Sequence, residues 1–254
     1  MVADCAQMYE ASFDHPEWRA PDYMIVWGCN PMKTNADGFY GHWVIDLMKQ
    51  GTRFITVDPD LTWIAAHSDY HLAIRPGTDA ALALAMIDTI CKEGLENREF
   101  VNKWCFGFDE LAGRAAEYPA EKVAEICGVN AKDIHEAARA FARSESASIQ
   151  WGVSVDMHTH GVATAHAILA LWSICGFVDI PGGNIFPSEG YTTADCSAAF
   201  GQFTLPEQRP TPETMWKFLG AQDYPMRRGQ SAWDRGLETL ETGEPFQFKM
   251  GFFG

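Results

Sequence analysis

Four short segments of this chain hold residue types suited to gripping a polar, flat ligand. The first is Gly28-Cys29-Asn30-Pro31. A glycine lets a ligand come close to the backbone, and an asparagine offers both a donor and an acceptor. The second is Val57-Asp58-Pro59, where an acid stands ready for a ribose hydroxyl or a purine edge. The third is Arg75-Pro76-Gly77-Thr78-Asp79, directly before a helical stretch. Free amides at a helix start favour anions, Thr78 is placed to cap, and Asp79 can accept from the N1 and N2 pair of a guanine. The fourth runs from Trp151-Gly152 through Ser154, Asp156, Met157, His158 and His160 to Gly161. Asp156 and the two histidines could do acid–base work. With no nearby cysteine or third ligand, His158 and His160 suit the flank of a cofactor or a solvent channel better than zinc.

Each segment also has a plainer reading. G-x-N-P can be a tight turn, and Asp58 before a proline can simply end a strand. Thr78-Asp79 can be an N-cap with a first-turn acid facing the helix dipole, and the fourth segment can be a hydrogen-bonded surface loop. His166 lies in an apolar helix and reads as a core histidine, and Pro181-Gly182-Gly183-Asn184 reads as a turn. What raises the four segments above these readings is their order and their position at predicted strand ends. In open α/β sheets, ligands bind outside the carboxyl ends of the strands. The pattern lacks G-x-G-x-x-G, so it gives no support to an ordinary nicotinamide site.

The elements that must position these loops follow from periodicity. Tyr23–Trp27 is a short apolar run ending at Gly28, which predicts a buried strand and a sharp turn. A loop follows to Gly41, then helical spacing from His42 to Gln50, with Gly51 as the stop. Arg53–Val57 is the next strand. Strand, loop, helix and strand make a βαβ unit with parallel strands. Leu61–His67 predicts a helix, His71–Ile74 a short strand and Thr78–Lys92 a long helix. Helices over 97–104, 107–116 and 119–127 follow, then a fourth capped by Asn130 with Ile134, Ala137, Ala138 and Phe141 as its apolar stripe. Ala147–Trp151 is a strand, and Ala163–Gly176 an apolar, buried helix. From about 187 periodicity fades into a long loop, and Phe246–Gly254 reads as a strand that stops at a glycine. The expected fold is therefore α/β, a Rossmann-like, mostly parallel sheet flanked by helices. It is divided into an entry segment over 1–20, a ligand-binding α/β region over 21–186, and a long irregular segment over 187–254 leading to the first strand of a truncated second half.

Composition narrows the partners. With 254 residues, 47% of them hydrophobic, the chain can bury a substantial core. Its formal net charge of -15 and lack of a Lys/Arg cluster argue against nucleic acid or an anionic membrane surface. No apolar run reaches spanning length. The first ten residues show neither the basic nor the apolar region of a signal peptide. The compartment stays open: cytoplasmic by default, with export possible if a signal lies further upstream. Seven scattered cysteines, an odd count without C-x-x-C, argue against a disulfide framework.

Taken together, the segments resemble the molybdopterin oxidoreductases of the dimethyl sulfoxide reductase family, which includes formate dehydrogenases and nitrate reductases. The resemblance is carried by Pro21–Pro31, Asp58-Pro59 and Arg75–Asp79. Phe100-Val101, Gly107-Phe108, Ile126–Val129, Trp151–Gly161 and Gly176–Asn184 extend it over roughly residues 20–186. It implies the central cofactor-binding part of a larger catalytic subunit. Gly28, Cys29, Asn30, Val57, Asp58, Pro59, Pro76, Gly77 and Asp79 would hold the guanosine and pyrophosphate of one molybdopterin guanine dinucleotide. Gly152, Met157 and His158 would lie near the pterin and the molybdenum or tungsten. Two such cofactors usually chelate one metal.

The resemblance further implies a 4Fe-4S cluster only in a missing N-terminal part, the remaining segments of the same subunit, an iron–sulfur electron-transfer partner and a small-molecule substrate. Three departures stand out. Asp60 replaces the arginine usual after Asp-Pro, Met157 stands where formate dehydrogenases carry a glutamine, and the iron–sulfur cysteine motif is absent. A non-redox hydratase or transhydroxylase of the same family, or a nucleotide-binding α/β module without catalysis, stays open as an alternative. The chain on its own is expected to be inactive, because half of each cofactor site would face solvent.

Overall fold

The computed structural model describes residues 19–34, 39–184, 211, 222–223, 233–245 and 247–249. Four strands, β1 (Tyr23–Trp27), β2 (Arg53–Val57), β3 (Tyr70–Leu72) and β4 (Ala147–Trp151), form one parallel sheet in the order β3-β2-β1-β4. The register decides where the loops leave. Trp27 lies opposite both Val57 and Trp151, and Val57 lies opposite Leu72. All four strands therefore end on one row, and the turns after them emerge along a single edge.

Side-chain alternation splits the core in two. Met24 and Val26 face one side with Phe54, where they meet Trp43, Val44 and Leu47 of α2 (Phe39–Lys49) and Ile64 of α3 (Trp63–Ala66). Tyr23, Ile25, Trp27, Ile55 and Val57 face the other side. There α4 (Asp79–Glu93) packs against α6 (Phe108–Ala115), α7 (Ala120–Cys127), α8 (Ala131–Ala142) and α9 (Gly161–Ile174), with α5 (Arg98–Trp104) against α9. Every residue of β1 is buried, as expected of a central parallel strand covered on both faces. Each large apolar side chain so buried stabilises the fold by roughly 1.5–3 kcal/mol.

From Tyr23 to Gly176 the expected elements are present, with local shifts that have identifiable causes. The loop after β1 contains a one-turn helix, α1 (Pro31–Thr34), and α2 starts at Phe39, before Gly41, because a helix tolerates a glycine in its first turn. α3 is shorter than predicted, since Thr62 caps it by accepting from the Ala65 amide. β3 stops at Leu72 and not at Ile74, because the Ile74 amide turns back to the Leu72 carbonyl at 2.9 Å. Asn130 caps α8 as predicted, and all four residues of its stripe are buried. His166 is not a core histidine: it is exposed, on the outward stripe of α9 with Val162 and Ala163.

The chain divides into two units, Met1–Gly190 and Tyr191–Gly254. In the second, the helix Trp233–Thr242 occupies part of the segment read as a long loop. Its Arg235 bridges Asp223 at 2.9 Å and Glu238 at 2.7 Å. Of the predicted C-terminal strand, Gln247–Lys249 has no strand structure, and the rest lies outside the described residues, as do Cys5 and Cys196. Of the five described cysteines, Cys127 and Cys175 are buried and the other three half-buried.

Two polar devices hold the frame. Asn184 is more than a turn residue. Its amide accepts from the Ile149 N–H at 2.8 Å and donates to the Ile149 carbonyl at 2.9 Å, satisfying β4 where no further strand pairs among the described residues. Glu93, at the end of α4, takes a forked bond from Arg139 of α8 at 2.7–3.0 Å. Arg139 holds the Glu93 carboxyl below its ordinary range, with Arg143 adding to the effect.

Asn184→Ala leaves both Ile149 backbone groups unpaired in a buried place, so chemical denaturation should show a loss of about 2–4 kcal/mol. Glu93→Gln should lower the thermal midpoint at neutral pH. A carboxylate with a depressed folded pKa contributes its stability above the ordinary value of 4.5 and loses it as pH falls below that. The difference from the unsubstituted chain should therefore narrow as pH falls below 4.5 and through the lowered folded pKa.

Candidate functional site

The four strand ends do more than share an edge. The Gly28 N–H donates to the Val57 carbonyl at 2.7 Å, Gly152 N–H to the Trp27 carbonyl at 2.9 Å, and Asp58 N–H to the Leu72 carbonyl at 3.3 Å. Main-chain bonds thus tie the first, second and fourth loops to neighbouring strands. Ser154, which begins no recognisable motif, adds a side-chain tie: its hydroxyl donates to the Gly28 carbonyl at 2.7 Å. Cys29 directs its thiol to the Gln150 carbonyl.

Glycine is required where two loops touch. A Cβ on Gly152 would stand 2.2 Å from the Gly28 carbonyl oxygen and 2.6 Å from Cys29 Cβ. Gly28 itself has φ +57, and its Cβ would meet the Ser154 hydroxyl at 2.3 Å. Gly77 differs. It has φ +82, but no described residue lies within 4 Å of its Cβ position, so the described surface above the third loop is open. Gly77 and Pro76 are exposed there, as is Pro59 on the second loop.

The two acids have distinct settings. Asp58 is half-buried and accepts from the Asp60 amide at 2.9 Å, closing a small turn of the Asx kind. Burial pushes its carboxyl above the ordinary range, against the opposing pull of that bond. The Asp58 carbonyl is also held by His71 Nε2 at 2.9 Å. Asp79 opens α4 and is nearly buried, and its Oδ1 accepts from the indole N–H of Trp27 at 2.8 Å. Thr78 does not cap α4. Its hydroxyl donates to the Arg75 carbonyl at 2.6 Å, leaving the first-turn amides without a side-chain cap. Arg75 reaches away from the loop, to the carbonyls of Glu125 and Ile126 at the end of α7.

The fourth loop opens with one turn of 3-10 helix, Val153–Val155, and closes at Gly161, where a Cβ would stand 2.1 Å from the Asp156 carbonyl oxygen. His158 Nδ1 accepts from the His160 amide at 3.3 Å. Its Nε2 is shielded from solvent and has no hydrogen-bond partner among the described residues, and the same holds for Asn30 Oδ1. Val153 and Met157 on this loop, and Val162 in the first turn of α9, are more than half exposed.

A separate open cleft lies at the opposite, amino-terminal edge of the sheet, lined by Asp22, Tyr23, Arg53, Tyr70 and Arg139. Its arginines are spent in pairs. Arg53 binds Asp69 and lies over the Tyr23 ring, the Tyr23 hydroxyl donates to Asp69 at 2.8 Å, and Arg139 is engaged by Glu93. Two residues that organise the candidate edge, Trp27 and Ser154, lie in the expected segments without an expected role. Trp27 was legible only as core, and a serine hydroxyl bonded to a backbone oxygen leaves no pattern.

The family model "Molybdopterin oxidoreductase" matches residues 3–224. The chain is 38% identical over 209 residues to acetylene hydratase of Syntrophotalea acetylenica, a match covering 81% of this chain and 28% of that protein. It is 31% identical over 189 residues to formate dehydrogenase H of Escherichia coli K12, covering 74% and 26%. To dimethyl sulfoxide/trimethylamine N-oxide reductase of Cereibacter sphaeroides it is 33% identical over 200 residues, covering 71% and 23%. The solved structure of acetylene hydratase from Pelobacter acetylenicus superposes with a TM-score of 0.75 at 28% identity, covering 97% of this chain and 37% of that one. The chain spans about a quarter of the length of these curated relatives. No helix among the described residues is long and apolar enough to cross a membrane. With its parallel sheet, its loops gathered on one edge and a family match over most of its length, the chain belongs to the molybdopterin oxidoreductase family.

Proposed function

We propose that this chain forms the part of a molybdenum or tungsten enzyme that grips the guanosine and pyrophosphate of one molybdopterin guanine dinucleotide. The observation that carries the reading is the aligned row Leu72, Val57, Trp27 and Trp151, which delivers all four loops to one edge of the sheet. The residues there fit such a group. Gly77 leaves an open surface before the uncapped amides of α4, where an anion is favoured. Asn30 Oδ1 is a shielded acceptor awaiting a donor, and Asp79 presents a carboxylate of the kind that guanine's N1–H and N2–H groups seek. Asp58 is the acceptor for a ribose hydroxyl, with Val57 and Pro59 shaping its turn. Gly28, Cys29 and Pro76 line the approach of the nucleotide tail.

On the fourth loop, Gly152 keeps the backbone low, and His158 Nε2 and the exposed Met157 face the pterin end. When bound, the metal supplies electron and oxygen-atom transfer, while the chain supplies orientation and electrostatic setting. The 4Fe-4S cluster and its electron-transfer partner belong, on this reading, to parts of the parent enzyme outside this chain.

A second reading keeps the cradle and changes the chemistry. The match to acetylene hydratase, and Met157 at the place where formate dehydrogenases carry a glutamine, favour a non-redox addition of water. The two readings separate on the holoprotein: a hydratase consumes acetylene without passing electrons to an acceptor dye, and an oxidoreductase reduces the dye.

The cradle itself is tested by Asp79→Asn, which preserves an acceptor for Trp27 and so avoids the stranded indole N–H that Asp79→Ala would leave. Holoprotein carrying it should retain about tenfold less guanine nucleotide and metal than the unsubstituted form after dialysis. Equal retention would remove Asp79 from the site, and an unsubstituted protein that never holds guanine would refute the proposal.

A further inference from the structure

The bond between Trp27 and Asp79 joins residues 52 apart in sequence, the last residue of the central strand and the first of the longest described helix. Trp27 is fully buried, so its indole cannot trade this bond for water. An indole N–H donates and never accepts. It therefore always faces an oxygen, and Asp79 Oδ1 is that oxygen at 2.8 Å. The second oxygen, Oδ2, makes no hydrogen bond among the described residues and is not sealed from solvent. Thr78, the other polar side chain at this helix start, is turned away onto the Arg75 carbonyl.

We propose that Trp27 is a positioning residue that sets nucleobase selectivity, by locking the carboxylate with one oxygen inward and one outward. This rests on the reading that Asp79 meets a guanine. The outward oxygen then accepts from the guanine N2 amino group and N1–H. A base with a carbonyl at that place would set two acceptors against each other.

The lock makes a directional prediction for Asp79→Asn. An amide has one oxygen and one NH2 group. The Trp27 N–H holds the oxygen inward, so the NH2 must point out. The variant should then prefer a base with a carbonyl at C2, which is xanthine. Without the indole N–H the amide can rotate either way, and the preference should relax.

The test measures GDP and XDP binding to the full chain by equilibrium dialysis. The unsubstituted chain should favour GDP by at least about tenfold, roughly the worth of one well-placed hydrogen bond. Asp79→Asn should favour XDP by a similar factor. Asp79→Asn combined with 3-benzothienylalanine at position 27, which keeps the ring shape and removes only the N–H, should bring the two within about threefold. Trp27→Phe combined with Asp79→Asn is the simpler companion where it folds. If the double variant keeps its full preference for XDP, the lock is wrong although Asp79 still reads the base. If the unsubstituted chain binds GDP and XDP alike, or binds neither, the guanine reading beneath it falls.

Discussion

The structure depends on contact between backbones at the carboxyl end of the sheet. Gly28 and Gly152 follow strands that lie side by side, and a methyl at Gly152 would stand 2.2 Å from the Gly28 oxygen. No side chain fits between these loops. Two turns from distant parts of the sequence therefore share one backbone layer, pinned by Gly152 N–H to Trp27 and by Ser154 to Gly28. Everything else at the edge inherits its position from this layer. β1 and β4 also flank the point where chain connections diverge to either side of β1, which is where open α/β sheets carry ligands.

Much of this was readable from residues alone. Buried parallel strands announce themselves as apolar runs, and β1, β2 and β4 begin and end where Tyr23–Trp27, Arg53–Val57 and Ala147–Trp151 predicted. The capped, striped helix α8 was equally plain. What escaped has physical reasons. The helix Trp233–Thr242 carries Gly236 in its middle and exposes Leu237 and Leu240, so it lacks the buried stripe that marks a core helix. His166 sits among apolar neighbours in sequence but on the outward side of α9, because one turn of helix changes the face it presents. Thr78 looked like a cap and is not one, since a threonine hydroxyl can bond a carbonyl three residues back instead of an amide ahead.

The candidate side chains could be named by type from the sequence, but not their partners. Asp79 stands in its motif as an acid at a helix start, but nothing in the spacing says that its neighbour is Trp27. That pairing exists because β1 ends directly beside the start of α4, a product of the crossover from β3. Asn184 belongs to the same class. Its motif predicts a turn, while its amide serves as a substitute strand, offering a donor and an acceptor to Ile149 as a neighbouring backbone would. Both are long-range hydrogen bonds, invisible to periodicity and decisive for which surfaces stay open.

An acidic chain that holds an anion must do so without relying on its net charge. The formal charge of -15 repels a pyrophosphate at long range, and Asp60 adds a further acid directly after Asp58-Pro59. Arg75, the one cation in the third loop, is turned onto the Glu125 and Ile126 carbonyls, where it caps α7. On the proposed reading, attraction comes from fixed dipoles: uncapped amides at the start of α4, acting over a few ångströms, in a place where Gly77 allows close approach. Salt screens surface charges separated by more than about 10 Å far more than contacts at bonding distance. The long-range repulsion is therefore weakened in physiological salt while the short-range grip survives. Such a grip also discriminates by shape, since a backbone cradle holds a group that fits it and offers a merely negative one little.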